Sequence, residues 1–166
     1  MNRSIRGSTP EIDDSAFVSE MSYVVGDVTV EENASVWPFV CLRGDGGEVT
    51  IGEDSNVQEF SMIHGSDIGD RVTVGHGVVI DYSDIGDDSL IGISSVVLEG
   101  ATVESNSIVA AGSVVRHDQI IPEGHVAYGI PAETRPITDE QREEIRRIQE
   151  HYVELGAEYR DQGTMQ

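Results

Sequence analysis

Two histidines and an aspartate, His64, His76 and Asp81, are the side chains of this sequence whose types best suit a metal ion. Imidazole nitrogens and carboxylate oxygens both bind zinc at about 2.0–2.2 Å, and two histidines with one carboxylate form a known catalytic ligand set. The same ligand types also hold non-haem iron, so they do not select the metal by themselves. What they require is a fold that brings positions 64, 76 and 81 to one point.

A six-residue repeat of branched apolar residues supplies the elements that would position them. Its members are Ile12, Val18, Val24, Val30, Val36, Leu42, Ile51, Val57, Ile63, Ile68, Val74, Ile80, Ile85, Ile91, Val97, Val103, Val109 and Val115. The longer step after Leu42 and the shorter steps after Ile63 and Ile80 fall where three hexapeptides complete a triangular coil. Such a repeat is typical of a parallel β-helix, whose coils stack at about 4.8 Å and cover each other's apolar faces. The sequence therefore predicts an all-β fold, with the β-helix over residues 11–137.

A second pattern, near the end of the chain, predicts one α-helix over residues 138–161. Thr138 and Gln141 form a capping box. Apolar residues then follow at alternating spacings of three and four, as on one face of a helix. They are Ile145, Ile148, Tyr152, Leu155 and Tyr159. We expect this apolar stripe to pack along the prism, in the same subunit or the next, and residues 1–10 to form an N-terminal segment before the β-helix.

The repeat also predicts where the outward side chains lie. The second position of every third hexapeptide forms one column, whose members are Val25, Arg43, His64, Asp81, Leu98 and Arg116. His64 and Asp81 should therefore lie on adjacent coils, about 4.8 Å apart. His76 belongs to another face of the coil that carries Asp81, so a shared ion requires His76 from a neighbouring subunit. A metal site thus predicts a trimer, because a three-fold axis closes such a head-to-tail contact.

The composition excludes several classes of partner. The chain has 31 acidic residues, ten arginines, no lysine and a net charge of −21, and such a negative field repels nucleic acids and anionic membranes. The dispersed acidic surface favours a halophilic protein, because molar salt shortens the Debye length to roughly 3 Å and so screens the repulsion between carboxylates. The alternative is an acidic protein from a cell with an ordinary salt concentration. Cys41 is the single cysteine and no secretory or membrane-spanning apolar run occurs, so we expect a soluble cytoplasmic protein.

Five short motifs resemble one known family. They are "RGD" at 43–45, "NVQ" at 56–58, "IH" at 63–64, "GHGVV" at 75–79 and "YGIPAE" at 128–133. With them the chain resembles the γ-class carbonic anhydrases and their short hexapeptide-repeat relatives, including those called ferripyochelin-binding proteins. The resemblance covers residues 10–137. It implies a left-handed parallel β-helix, a homotrimer, and one divalent metal at each subunit interface, zinc or in some members iron or cobalt.

The resemblance also implies roles for the metal-binding residues. His64 falls on the first family ligand and His76 on the second, which is donated across the interface. Asp81 falls on the third ligand position, where the family has a histidine. An anionic ligand reduces the effective positive charge of the metal, so we predict weaker hydration of carbon dioxide at neutral pH than three imidazoles would give.

Other family positions are occupied as well. Gln58 falls on the residue that orients the attacking oxygen, Asn56 lies where the family has an asparagine near bicarbonate, and Tyr128 matches an active-site tyrosine. Arg43 and Asp45 fall on the ion pair of the subunit interface.

The chain departs from the family outside the ligand set too. Gly46 replaces an acidic residue, Glu59 replaces an aspartate and Ile130 replaces an asparagine. The long acidic loop that shuttles protons is missing, and Asp67, close to His64 in sequence, is the candidate substitute.

Two other functions fit the repeat. A hexapeptide acyltransferase would use a histidine as general base, but so acidic a chain offers no basic patch for the phosphates of coenzyme A. A non-catalytic scaffold would keep the fold and lose one metal ligand. Asp81, which replaces a family histidine, is the residue that distinguishes such a scaffold from an active enzyme.

Overall fold

The structure, a computed structural model, describes residues 1–163. Over that range the chain forms twenty strands and one helix. The first ten strands are β1 (Asn2–Arg3), β2 (Glu11–Ile12), β3 (Phe17–Val18), β4 (Tyr23–Val30), β5 (Ser35–Val36), β6 (Cys41–Ile51), β7 (Asn56–Val57), β8 (Met62–His64), β9 (Asp67–Ile68) and β10 (Thr73–Val74). The remaining elements are β11 (Val79–Asp81), β12 (Asp84–Ile85), β13 (Leu90–Ile91), β14 (Val96–Val97), β15 (Thr102–Val103), β16 (Ile108–Val109), β17 (Val114–Val115), β18 (Ile120–Ile121), β19 (His125–Tyr128), β20 (Glu133–Pro136) and α1 (Asp139–Asp161).

The strands build a triangular prism with three faces. The first face contains β1, β4, β6, β8, β11, β14 and β17, and the second contains β2, β4, β6, β9, β12, β15 and β18. The third face contains β3, β5, β7, β10, β13, β16 and β19 in parallel, and β20 closes it as an antiparallel strand. Strands β4 and β6 turn a corner and so belong to two faces. The predicted left-handed β-helix with a C-terminal helix is confirmed.

The apolar repeat fills the interior of the prism. Sixteen of its eighteen positions, from Val24 to Val115, are buried, and only Ile12 and Val18 at the N-terminal end are partly exposed. Two further buried residues, Ile121 and Ala127, extend the repeat beyond the predicted positions. Buried branched side chains are stiff and suit short strands, which explains how strands of two or three residues persist here.

Serine side chains stabilise the corners between faces. The Ser55 hydroxyl donates to the Gly69 carbonyl at 2.7 Å and accepts from the Val72 amide at 2.8 Å. Ser61 makes the equivalent pair one corner later. These bonds satisfy backbone groups that a tight turn would otherwise bury without partners.

The helix α1 packs on the third face of its own chain. Thr138 caps it in the predicted capping box with Gln141. Tyr152 and Tyr159 of α1 lie within 5.1–5.6 Å, between ring centroids, of Trp37 or Phe17. Within residues 1–163, no helix is long and apolar enough to cross a membrane.

Candidate metal centre

The column predicted from the repeat is present on the first face. In the register of β6, β8 and β11, Arg43 lies beside His64 and His64 lies beside Asp81. The Nδ1 atom of His64 is 2.9 Å from Oδ1 of Asp81, which is a hydrogen-bond distance. The prediction that these two residues are neighbours on adjacent coils is confirmed.

The other ring nitrogen of His64 faces a different set of oxygens. Its Nε2 atom is 3.4 Å from the hydroxyl of Tyr82 and 3.8 Å from Oδ1 of Asp45. The Tyr82 ring packs edge-on against the imidazole, with 4.6 Å between centroids. Only 15% of the His64 side chain is exposed, so both neighbours hold the ring in place.

Asp45 is oriented by Arg43. The Nη2 atom of Arg43 is 3.1 Å from Oδ2 of Asp45, and this hydrogen bond holds the pKa of the carboxyl below its usual range. The second oxygen, Oδ1, is buried and has no hydrogen-bond partner, and among residues 1–163 it is the single buried side-chain atom in that state. The predicted ion pair therefore forms within one chain; its place at a subunit interface stays a prediction.

His76 belongs to a second carboxylate–histidine pair at the end of the third face. Its Nδ1 atom is 2.8 Å from Oε2 of Glu59, and 44% of its side chain is exposed. Sequence reasoning missed this partner, although Glu59 and His76 are separated by the same seventeen residues as His64 and Asp81. Within the described part of a single chain, no three His, Cys, Asp or Glu side chains converge to hold an ion.

The two predicted amides lie together on the third face. Gln58 donates to Oδ1 of Asn56 at 3.0 Å, and Asn56 donates to the Thr73 hydroxyl at 2.9 Å. Both amides are buried, and Gln58 also lines a cavity of about 410 Å³ whose other walls include Ile148 and Tyr152 of α1. Burial, with a smaller effect of a nearby carboxylate, raises the pKa of the Tyr152 phenol.

Comparison with known proteins identifies the family. The sequence-family model "bacterial transferase hexapeptide (six repeats)" matches residues 82–117, and the family model "hexapeptide repeat of succinyl-transferase" matches residues 48–82. Mitochondrial γ-carbonic anhydrase 2 of Arabidopsis thaliana is 35% identical, with 89% of this chain and 57% of that protein aligned. A carbonic anhydrase of Geobacillus kaustophilus is 35% identical, with 93% and 88% aligned. The chain belongs to the γ-class carbonic anhydrase family.

Solved structures agree on the architecture of this family member. A crystal structure from Bacillus cereus, to which an acetyltransferase function has been ascribed, superposes with a TM-score of 0.95 at 34% identity and covers 98% of both chains. The chain spans 57% of the length of the Arabidopsis relative.

Two candidate residues of this γ-class protein lie apart from the others within one chain. Tyr128 follows Ala127 in the column that contains Gln58, four coils away, which is about 19 Å. Asp67, on the second face, lies beside Asp84, and burial together with that carboxylate raises the pKa of Asp67. A catalytic role for Tyr128 and a shuttle role for Asp67 stay predictions.

Proposed function

We propose that this protein binds one divalent metal ion at each interface of a homotrimer and catalyses the reversible hydration of carbon dioxide. The observation that carries the proposal is the presence of two carboxylate–histidine pairs, Asp81 with His64 and Glu59 with His76. In each pair the carboxylate contacts Nδ1, so Nε2 is the nitrogen that remains for a metal ion; in His64 it lies 3.4 Å from the Tyr82 hydroxyl. Metal-binding histidines commonly have such a carboxylate on the second nitrogen, which fixes the ring and raises its basicity.

The two pairs lie on different faces, so a neighbouring subunit must bring His76 to His64 and Asp81. An exposed aromatic pair supports a contact at the His76 corner. Phe39 and Phe60 are stacked with 5.1 Å between their centroids, and 49% and 69% of their surfaces are exposed. Phe60 follows Glu59 directly, and adjacent exposed apolar rings are typical of a protein contact.

The chain's own residues would prepare carbon dioxide for attack. A bound zinc, iron or cobalt ion would supply a Lewis acid that brings the pKa of water near 7. Gln58, held by Asn56, also lines an apolar cavity, and we assign to its amide the orientation of the attacking oxygen. The Asp81 carboxylate adds negative charge beside His64, so we expect activity to rise at higher pH than in a site with three imidazoles.

Elemental analysis of anaerobically purified protein, paired with a hydration assay in molar salt, tests this function. The proposal predicts about one metal ion per chain and hydration activity that a chelator removes. Protein that is metal-free as purified, and inactive after addition of zinc, iron or cobalt, would rule it out.

A non-catalytic scaffold is the second candidate, and the observation that favours it is Asp81 itself. The residue stands at a histidine position of the family and is hydrogen-bonded to His64. If Asp81→His gains both metal and hydration activity that the natural chain lacks, the scaffold is the better description. An acyltransferase is a third candidate, supported by the function ascribed to the Bacillus cereus structure; calorimetry with acetyl-CoA tests it, and no heat of binding would remove it.

We also propose that the protein works in concentrated salt. Carboxylates lie next to one another along the second face, where Asp67 is beside Asp84. Burial, and then the charge of Asp70, raises the pKa of Glu31. Mobile ions at molar concentration screen such repulsion. A refolding yield that rises with salt supports this setting, and full stability in dilute buffer would argue against it.

A further inference from the structure

Three donor atoms cluster on the side of His64 that faces away from Asp81. The Nε2 atom of His64 lies 3.4 Å from the Tyr82 hydroxyl and 3.8 Å from Oδ1 of Asp45. Two donors bound to one tetrahedral ion at about 2.1 Å are about 3.4 Å apart. The spacing around Nε2 therefore suits an ion, whereas the 2.9 Å between Nδ1 of His64 and Asp81 suits a hydrogen bond.

The carboxylate of Asp45 has an unused oxygen directed at this cluster. Arg43 binds Oδ2, which fixes the plane of the group, and Oδ1 is left buried without a hydrogen-bond partner. A buried acceptor without a partner is unfavourable, and more so when it is charged. A cation beside Oδ1 would remove that penalty.

Tyr82 is placed at the cluster by a left-handed backbone conformation. Its φ is +46°, and Phe39 and Phe60 also adopt positive φ in this prism. Its ring lies over glycines: a Cβ atom at Gly47 would come within 3.1 Å of the ring, and one at Gly46 would collide with the hydroxyl. Gly46 stands where the family has an acidic residue, so the loss of that side chain makes room for the phenol.

We propose that Asp45, His64 and Tyr82 of one chain bind the divalent metal ion through Oδ1, Nε2 and the phenolic oxygen, and that Asp81 positions the His64 ring. This ligand set rests on the proposed function, which supplies the divalent metal ion. The oxygens of Asp45 and Tyr82 take the place of the family histidine that Asp81 replaces. Tyr82 binds as the phenolate and releases its hydroxyl proton to solvent. His76 of the neighbouring subunit adds a further nitrogen at the interface and is not required for the three intrachain contacts.

Metal titration of full-length variants tests the set. Tyr82→Phe removes the hydroxyl and keeps the ring, and Asp45→Asn removes one charge. Each should weaken Co²⁺ binding at least about 10-fold, while the controls Tyr23→Phe and Asp84→Asn leave it unchanged. Circular dichroism and elution volume verify that each variant is folded.

A second readout identifies the phenolate directly. Wild-type protein loaded with ferric iron should show the visible charge-transfer absorption of an iron–phenolate bond, and Tyr82→Phe should lack it. The band should persist in His76→Ala even though hydration activity is lost. A band that survives in Tyr82→Phe, or unchanged Co²⁺ affinity in Tyr82→Phe and Asp45→Asn, overturns this ligand set.

The same variants separate this inference from the proposed function. If His76→Ala loses the metal while Tyr82→Phe and Asp45→Asn retain it, the interface site stands and the intrachain set is wrong. If the wild-type protein binds neither Co²⁺ nor ferric iron, both are wrong.

Discussion

The two histidine pairs of this chain are built alike and placed differently. The His64 imidazole is enclosed, with 15% of its side chain exposed, whereas His76 lies at an open corner with 44% exposed; their carboxylates, Asp81 and Glu59, are 39% and 32% exposed. Both pairs join residues seventeen positions apart on adjacent coils. One winding rule thus produces both pairs, and the corner between their faces keeps them from meeting. Under the proposed function, a single chain carries two halves of a metal centre, and a neighbouring subunit would complete it.

Removal of either histidine should have the largest effect. His64→Ala and His76→Ala each delete one nitrogen proposed to bind the metal, and we expect hydration activity to fall by more than about 100-fold. Stopped-flow hydration measures the loss. His117→Ala, an exposed histidine outside both pairs, is the matched control, and an equal loss in that variant would point to a general effect.

Two neighbouring residues of strand β11, Ile80 and Asp81, should affect stability by different amounts. Ile80 points into the core and is fully buried, while its neighbour Asp81 points outward. Ile80→Ala should lower the free energy of unfolding by about 2–5 kcal/mol, and Asp81→Asn by less than about 1 kcal/mol. Denaturant unfolding of both variants measures this, and similar losses would contradict the inward and outward assignment.

The carboxylates test whether the two pairs are equivalent. Glu59→Gln and Asp81→Asn leave their histidines without an ionised partner, so each should weaken metal binding about 10–100-fold. Competition with a chelator gives the affinities, and Glu99→Gln on an outer turn serves as the control. A loss confined to one variant would show that only that pair orients a ligand.

The smallest expected effect concerns the second face. Burial and Asp84 raise the pKa of Asp67, so the folded state disfavours its ionised form. Asp67→Asn should therefore stabilise the protein at pH 7, and the gain should disappear as the pH falls below the ordinary range of a carboxyl group. We expect the gain in the free energy of unfolding to be less than about 1 kcal/mol at low salt, because the Asp67 side chain is largely exposed. Melting curves at two pH values and two salt concentrations measure the gain. Molar salt should remove only the part that comes from Asp84, and a variant less stable than the natural protein at pH 7 would contradict the prediction.

The sequence was sufficient for the scaffold and for one of the pairs. Burial of a branched residue every six positions requires coils that stack in register, so the neighbourhood of His64 and Asp81 could be derived by counting. The same counting of coils places Glu59 beside His76. That pair was missed because neither residue belongs to the apolar repeat or to the column of His64.

Other features depend on geometry that no repeat encodes. Tyr82 reaches Nε2 of His64 because it adopts a left-handed backbone over Gly46 and Gly65, and neither fact follows from hydropathy. Strand β1 pairs with Val24 and Val25 although residues 1–10 lack the template.

Co-expression of His64→Ala and His76→Ala chains tests most directly whether the centre is divided between subunits. Each chain then retains the half that the other lacks. In randomly mixed trimers about one quarter of the interfaces unite an intact His64 with an intact His76. We predict that the mixture regains about that fraction of wild-type hydration activity, while each variant alone stays inactive. A mixture no more active than either variant would contradict a centre shared across the interface.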